Sequence, residues 1–309
     1  LSPLNALAKL WKLMSDRPRS LKTLRQQIDR IDTQLHDLVM QRAAVVGEVA
    51  AIKRAGGLPA EVPAREAEIL RNLIKRHNGR FPASSLVRLW REMVGAAISM
   101  QTEFSVAVVA AEADPGIWDL ARDHYGVAVP MTAYRNSTEV MRALGENRAS
   151  AGVVPVPGDG VEDSWWRTLA SGGPGPRVTA RLPFGGRGNA RGTRDAFVLS
   201  RALVEPEKAE RSLYAIEAAG EISRGGLATM LSNAGLPATL LAMARVGGGA
   251  TAGLVEIDEG VAPEDARLQN LTPPGGETRA RVSALGFYAR PLSAQELGPK
   301  EPARPGPSP

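Results

Sequence analysis

The sequence predicts a multi-domain α plus α/β protein: a three-helix N-terminal domain, then a short α/β unit, then a final mixed αβ region. Three observations lead there. Apolar residues from Leu21 to Ile98 recur at three- and four-residue spacing. Strand–helix alternation begins at Phe104. The chain of 309 residues is longer than one hydrophobic core usually covers. The expected boundaries are a lead-in over 1–20, helices over 21–103, an α/β unit over 104–203, an αβ region over 204–292, and a Pro-rich disordered tail over 293–309.

In the first helix Leu21, Leu24, Ile28, Ile31, Leu35 and Leu38 step by 3 and 4, and the stripe resumes at Val45, Val49 and Ile52. This is a heptad-like seam on one helix that ends at Gly56-Gly57. At ~1.5 Å per residue it is roughly 50 Å long, more than a small domain covers, so a second copy is expected to complete the seam. The second helix starts near Pro63, with Glu66 close behind, and stops at Asn78-Gly79. The third starts after Pro82 with Ser84 or Ser85 as cap, on the stripe Leu86, Leu89, Trp90, Met93, Val94, Ala97 and Ile98.

From Phe104 onward the pattern changes. Val106–Ala110 reads as a strand, Ile117–His124 as a helix, Val127–Pro130 as a strand, Glu139–Asn147 as a helix and Ala151–Val156 as a strand. Residues 171–192, with seven Gly and three Pro, read as a loop, and Ala196–Ser200 as another strand. A helix–strand mixture follows from Ala209 to Pro291 and includes Gly253–Ile257.

Composition narrows the chemistry. With no Cys, disulfides, thiolate metal sites and a cysteine nucleophile are excluded. Three His argue against imidazole chemistry and His-rich metal sites, and no cofactor motif appears. An aromatic content of 5% is thin for stacking single-stranded nucleic acid. The net charge of +5 is uneven: residues 1–20 carry +3, residues 21–103 carry +4 and the remainder −2, which places an anionic partner near the N-terminal third. No apolar run approaches the ~20 residues of a membrane span. Lys9, Lys12 and Asp16 interrupt the first twenty residues, so they do not read as a signal peptide, and a cytoplasmic location is expected.

The informative residues are the polar interruptions of the helical stripes. Continuing the spacing from Leu38 predicts an apolar residue at 42, where the sequence has Arg42. Lys53, eleven residues on, projects from nearly the same face, and Arg25 lies about 100° away around the helix. A guanidinium on an apolar seam is costly unless an anion meets it. Either a neighbouring carboxylate or a bound anion would serve. Arg65-Glu66 opens the second helix and Gln101 falls on the stripe of the third, so three interrupted faces suggest a shared polar pocket within a helical bundle.

These elements resemble the all-helical chorismate mutase family. The likeness rests on Leu24-Arg-Gln-Gln-Ile-Asp-Arg-Ile-Asp, Leu38-Val-Met-Gln-Arg42, Lys53, Gly57-Leu-Pro, Pro63-Ala-Arg-Glu66, Leu89-Trp-Arg-Glu-Met and Gln101, in order over 21–103. The resemblance implies an intertwined homodimer that converts chorismate, a small dicarboxylate, to prephenate. It implies that Arg25, supplied across the interface, and Arg42 hold carboxylates. Lys53 and Gln101 would hydrogen-bond the ether oxygen, Arg65 would support the pocket's electrostatics, and Glu66 would accept from the ring hydroxyl. No base, nucleophile, metal or cofactor is needed for a unimolecular rearrangement. Two positions depart from the family: Val62 stands where Asp is frequent, and Ala97 where Ser is common.

The remainder resembles the prephenate dehydratase and ACT regions of bifunctional proteins, in truncated and degenerate form. Ala151-Gly-Val-Val-Pro-Val continues into Pro157-Gly-Asp-Gly rather than Ile-Glu-Asn-Ser, and Thr193-Arg194 is followed by Asp195-Ala196-Phe197 rather than directly by Phe. One lobe's worth of chain is missing between Pro183 and Thr193, so an inactive dehydratase is expected. Gly225-Gly-Leu-Ala-Thr-Met-Leu and Val282-Ser-Ala-Leu-Gly-Phe-Tyr are ACT-like, while Ala244-Arg-Val-Gly-Gly replaces the Glu-Ser-Arg-Pro element. A dimer-stabilising scaffold is the simpler expectation for this region. Trp165-Trp166 reads as a packing anchor and Gly247-Gly-Gly as a loop. His36, His77 and His124 read as surface residues, and Arg187, Arg191 and Arg194 as a solvated loop. The rival readings are an isochorismate-pyruvate lyase on the same fold and a non-catalytic regulatory partner of a shikimate-pathway enzyme.

Overall fold

The computed structural model describes residues 20–110, 115–158, 165–171, 175–273 and 279–298. The lead-in over 1–19 and the tail from 299 lie outside them. The chain divides into two compact units after Gly56.

The first unit's described part is a single helix, α1 (Leu21–Ala55). The Ser20 side chain accepts from the Thr23 N–H at 3.2 Å, capping the start, while Lys53 and Arg54 in the last turn complement the helix dipole. The chain leaves through Gly57, whose φ of 63° favours glycine. Leu21, Leu24, Ile28, Ile31, Leu35, Leu38, Val45, Val49 and Ile52 are all exposed along this helix.

The second unit begins with α2 (Pro63–Arg76) and α3 (Ala83–Gln101). Pro63 sits in the first turn of α2, and Val62 at the cap offers no side-chain acceptor. Ser84 and Ser85 lie inside α3 and do not cap it; the cap position is Pro82. The buried face of α3 is Val87, Arg91, Val94 and Ile98, whereas Leu89 on the expected stripe is exposed.

Behind these helices lies one nine-stranded sheet, ordered β2-β1-β3-β5-β4-β9-β6-β8-β7. Its strands are β1 (Val106–Val109), β2 (Met131–Tyr134), β3 (Ala151–Pro155), β4 (Arg177–Leu182), β5 (Ala196–Ser200), β6 (Arg211–Ala218), β7 (Ala238–Arg245), β8 (Thr251–Ile257) and β9 (Arg281–Tyr288). β1 pairs in parallel with β2 and β3, connected through α4 (Gly116–Tyr125) and α5 (Ser137–Gly145). The other half is mainly antiparallel, with α7 (Arg224–Asn233) burying Leu227, Met230 and Leu231 in a core shared with Tyr214, Ile216 and Val255. The short helix α6 (Trp165–Ala170) buries Trp165 and Trp166, which anchor the packing as expected.

Three sequence expectations are corrected here. The strand expected over Val127–Pro130 is instead Met131–Tyr134, because Val127 is exposed and it is Met131 that pairs with Val106. The expected loop over 171–192 contains β4, an interior strand whose Val178 and Leu182 are buried. The expected tail from Ser293 forms a short helix, α8's successor α9 (Ala294–Leu297), closed by a capping box between Ser293 and Glu296, with α8 (Ala266–Gln269) preceding it. The sheet is continuous through the expected boundary near 203. β4 and β9 meet at Val178 and Gly286, where a Cβ on Gly286 would run into the Val178 carbonyl. Arg181 also reaches across to Glu256, whose Oε1 accepts from the Tyr288 hydroxyl at 2.7 Å.

Candidate active site

The cationic positions of α1 differ in exposure. Arg25 is exposed, while Arg42 and Lys53 are half-buried in the same helix whose apolar neighbours are exposed. Arg42 and Lys53 are separated by eleven residues, or about 16 Å of helix rise and nearly three turns, so both leave the same face.

The remaining three residues lie in the second unit. Arg65 donates to Glu68 at 2.6 Å with both side chains more than half exposed, a pair of the kind worth ~0–1 kcal/mol. The adjacent Glu66 points elsewhere: its Oε2 accepts from Arg91 Nη1 at 2.9 Å, in a pair whose side chains are 12% and 5% exposed. Gln101 is half-buried, and its Nε2 donates to the Ala97 carbonyl at 2.9 Å. Ala97 itself is buried.

Around Glu66 is a set of groups that the reading of the sequence missed. Glu61 is buried, and its Oε1 accepts from the Tyr125 hydroxyl at 3.1 Å. Burial, and then the neighbouring Glu66 carboxylate, push its pKa up to about 7. Burial lowers the pKa of Arg91, opposed by Glu66, and the guanidinium lies 5.1 Å from the centre of the Phe184 ring. Burial also pushes His124 well below its usual range, so this residue is neutral near pH 7. His124 is therefore no surface residue: it is buried edge-on to Tyr125, their ring centres 4.8 Å apart. A signal for Arg91 was present in the sequence, since it continues the buried 4-3-4 series Val87, Arg91, Val94, Ile98. Glu61 precedes its helix and carried no such signal.

The arginines of the 185–195 segment are not simply solvated. Arg191 donates to both oxygens of Asp119, at 2.7 and 2.9 Å, which holds that carboxyl at about 2, and Arg187 pairs with Asp195 at 2.7 Å. Among the described residues no group of His, Asp or Glu is placed to hold a metal ion, and no helix is long and apolar enough to cross a membrane.

Residues 24–102 match the family model described as chorismate mutase type II. Two relatives are called bifunctional chorismate mutase/prephenate dehydratase. The one from Aquifex aeolicus is 32% identical over 140 residues, which is 44% of this chain and 38% of that protein. The one from Pseudomonas aeruginosa is 30% identical over 150 residues, 46% of this chain and 40% of that protein. The matched stretch thus spans about two fifths of these relatives. Among solved structures, prephenate dehydratase from Streptococcus mutans aligns with a TM-score of 0.41 at 14% identity, over 61% of this chain and 100% of that one. Prephenate dehydratase from Arthrobacter aurescens in complex with L-Phe aligns with a TM-score of 0.43 at 12% identity, over 61% and 92%.

Proposed function

We propose that the chain is a chorismate mutase, catalysing the cofactor-free rearrangement of chorismate to prephenate. The observation that carries this reading is the ordered set Arg25, Arg42, Lys53, Arg65, Glu66 and Gln101, placed on α1, α2 and α3 inside the segment that matches the family. In the rearrangement a C–O bond breaks as a C–C bond forms, and negative charge grows on the ether oxygen. Catalysis then requires holding the chair-like conformer and placing donors where that charge develops. Arg42 and Arg25 bind the two carboxylates, Lys53 and Gln101 donate to the ether oxygen, Glu66 accepts from the ring hydroxyl, and Arg65 adds positive potential. The Gln101 amide nitrogen carries two hydrogens; the Ala97 carbonyl accepts one and the other would serve the ether oxygen.

The working form is a homodimer in which Arg25 comes from the second copy. The exposed seam of α1 supports this, since a row of nine large apolar residues in water is unfavourable by about 25 cal/mol per Å² of apolar surface left uncovered. Replacing Ile31 and Leu35 by Lys is expected to turn the dimer into monomer in light scattering and to abolish turnover. A double variant that stays dimeric would refute the seam's role.

Residues 104–203 and 204–292 are read as a truncated dehydratase-like segment and an ACT-like segment that carry no dehydratase activity. Two observations support this. All nine described strands lie in one sheet, leaving among the described residues no second sheet to form a two-lobed cleft. In addition, Arg187 donates to the Thr193 and Arg194 carbonyls, tying down the segment that stands at the Thr-Arg-Phe position. The test is to supply chorismate and assay prephenate and phenylpyruvate separately. Prephenate alone is the expected product. Phenylpyruvate above the spontaneous background would restore the dehydratase, and intact chorismate would refute the mutase.

A further inference from the structure

On the side of Glu66 that faces Arg91, Glu61 and His124 the packing is too tight for a ligand. The two cavities beside it, one lined by His124, Phe184 and Gly185 and the other by Glu61, Glu66 and Thr179, measure about 20 and 10 Å³, room for at most one water each. What these charges do must therefore be done through the residue they hold.

That residue is Glu66, and its holder is itself fixed. The Arg91 guanidinium is clamped between the Glu66 carboxylate and the Phe184 ring. Phe184 sits in the loop after β4, where its carbonyl accepts from Leu292 N at 2.8 Å and the next residue, Gly185, packs so closely on Val87 that a Cβ would collide. The loop, and through it the sheet, sets where Arg91 lies.

We propose that Arg91 is a positioning residue for the rearrangement: from α3, braced by the Phe184 ring of the α/β body, it holds the Glu66 carboxylate in the place where the substrate hydroxyl meets it. The inference rests on the mutase reading above. It gives the α/β body a task in the mutase reaction without any chemistry of its own.

The surroundings of Arg91 make this hold sensitive to pH. Facing the pair are Glu61 ahead of α2, His124 and Tyr125 from α4, and Ser200 from β5, which hydrogen-bonds Glu61. His124 and Tyr125 stay neutral near pH 7, so Glu61 is the group among these that changes charge there. With Glu61 protonated, Arg91 serves Glu66 alone. Once Glu61 ionises, Arg91 is shared between two carboxylates and Glu66 meets a like charge.

The experiment is steady-state chorismate kinetics on the full chain between pH 5.5 and 8.5. The KM of the unmodified chain is expected to rise several-fold through about pH 7 with kcat changing less. Glu61→Gln is expected to flatten that rise. Arg91→Met is expected to raise KM about tenfold at pH 6, with Arg91→Lys recovering most of it. A folded Arg91→Met with unchanged KM overturns the proposal, as does a Glu61→Gln profile that superimposes on the original. If Arg91→Met does not fold, Arg91→Lys and Glu61→Gln decide it on the same profile. The Glu61 carboxyl titration, followed by carbon NMR, needs no turnover. Its midpoint is expected to move up in Arg91→Met and down in Glu66→Gln. An inactive chain overturns the mutase reading, whereas unmoved midpoints in an active chain overturn only the role of Arg91.

Discussion

Helices α1 and α3 are built on the same three-four repeat, and the repeat is used differently in each. Along α1 the apolar positions from Leu21 to Ile52 are exposed, and the half-buried positions include the charged Arg42 and Lys53. In α3 one series, Val87, Val94 and Ile98, is buried, a second that includes Leu89 and Met100 is exposed, and the charge on the buried series is paired with Glu66. The difference teaches that periodicity identifies which face is apolar and says nothing of what covers it. It also separates two uses of a cation on an apolar face. On the function proposed above, the cations of α1 meet a ligand, whereas the one on α3 is paired with the chain's own Glu66 carboxylate.

The strongest way to break this contrast is at Arg42. Arg42→Ala is expected to lower kcat/KM for chorismate by about 10³-fold, close to 4 kcal/mol of transition-state stabilisation, while the thermal midpoint changes little. A large loss of stability with unchanged kinetics would mean that Arg42 is a structural ion-pair partner.

At α3 the expectation inverts. A Cβ on Gly95 would run into the Tyr125 carbonyl, so Gly95→Val must push α4 away from α3. We expect a loss of about 3 kcal/mol or more in urea unfolding. Near-normal stability would show that the two helices separate easily.

A pH series sharpens the comparison further. Glu61 titrates at about 7 in the folded chain against 4.5 for an ordinary glutamate, so the folded state binds the extra proton between these values. The stabilisation is complete below pH 4.5 and is lost as pH rises through 7, a fall of about 3 kcal/mol from this group. Unfolding midpoints measured across that window should fall in the unmodified chain, and Glu61→Gln should remove that part of the slope.

The smallest effect is expected at Arg65. Its exposed pair with Glu68 predicts a stability loss below about 1 kcal/mol for Arg65→Ala, with the larger change in chorismate turnover. A stability loss that exceeds the kinetic one would remove Arg65 from the site.

Much of this architecture was legible because local physics dictates it. The seam of α1 from Leu21, the Pro63 start of α2 and the buried strands Val106–Val109, Ala151–Pro155 and Ala196–Ser200 each follow from spacing and punctuation. What was illegible depends on partners far away in the chain. β4 was hidden by flanking Gly and Pro and becomes a strand because β5 and β9 flank it in the sheet. Val127–Pro130 has the composition of a strand, but the register with Val106 begins only at Met131. Of the candidate positions, Arg42, Lys53 and Gln101 were readable from the apolar stripes they interrupt and Arg65 and Glu66 from a helix start, whereas Arg25 rested on the family resemblance. The burial of Glu61 and His124 was not readable, because it is conferred by groups remote in sequence: Tyr125 and the strand residues Thr179 and Ala180 around Glu61, and α3 with the Phe184 loop around His124.

The close approach at Gly95 has a consequence for how such a chain can be shortened. Val94, Ile98, Phe104 and Tyr125 share one core, so the third helix finishes its packing on residues from beyond its own domain. A cut near residue 103 would leave Val94 and Ile98 facing water and strip Arg91 of its aromatic cover. The third helix is therefore not detachable from the residues that follow it. The α/β body would then be kept by selection through the face it lends to α3, whatever chemistry of its own it performs. Substitutions should accumulate fastest on the surfaces of the sheet farthest from Phe184 and Gly95.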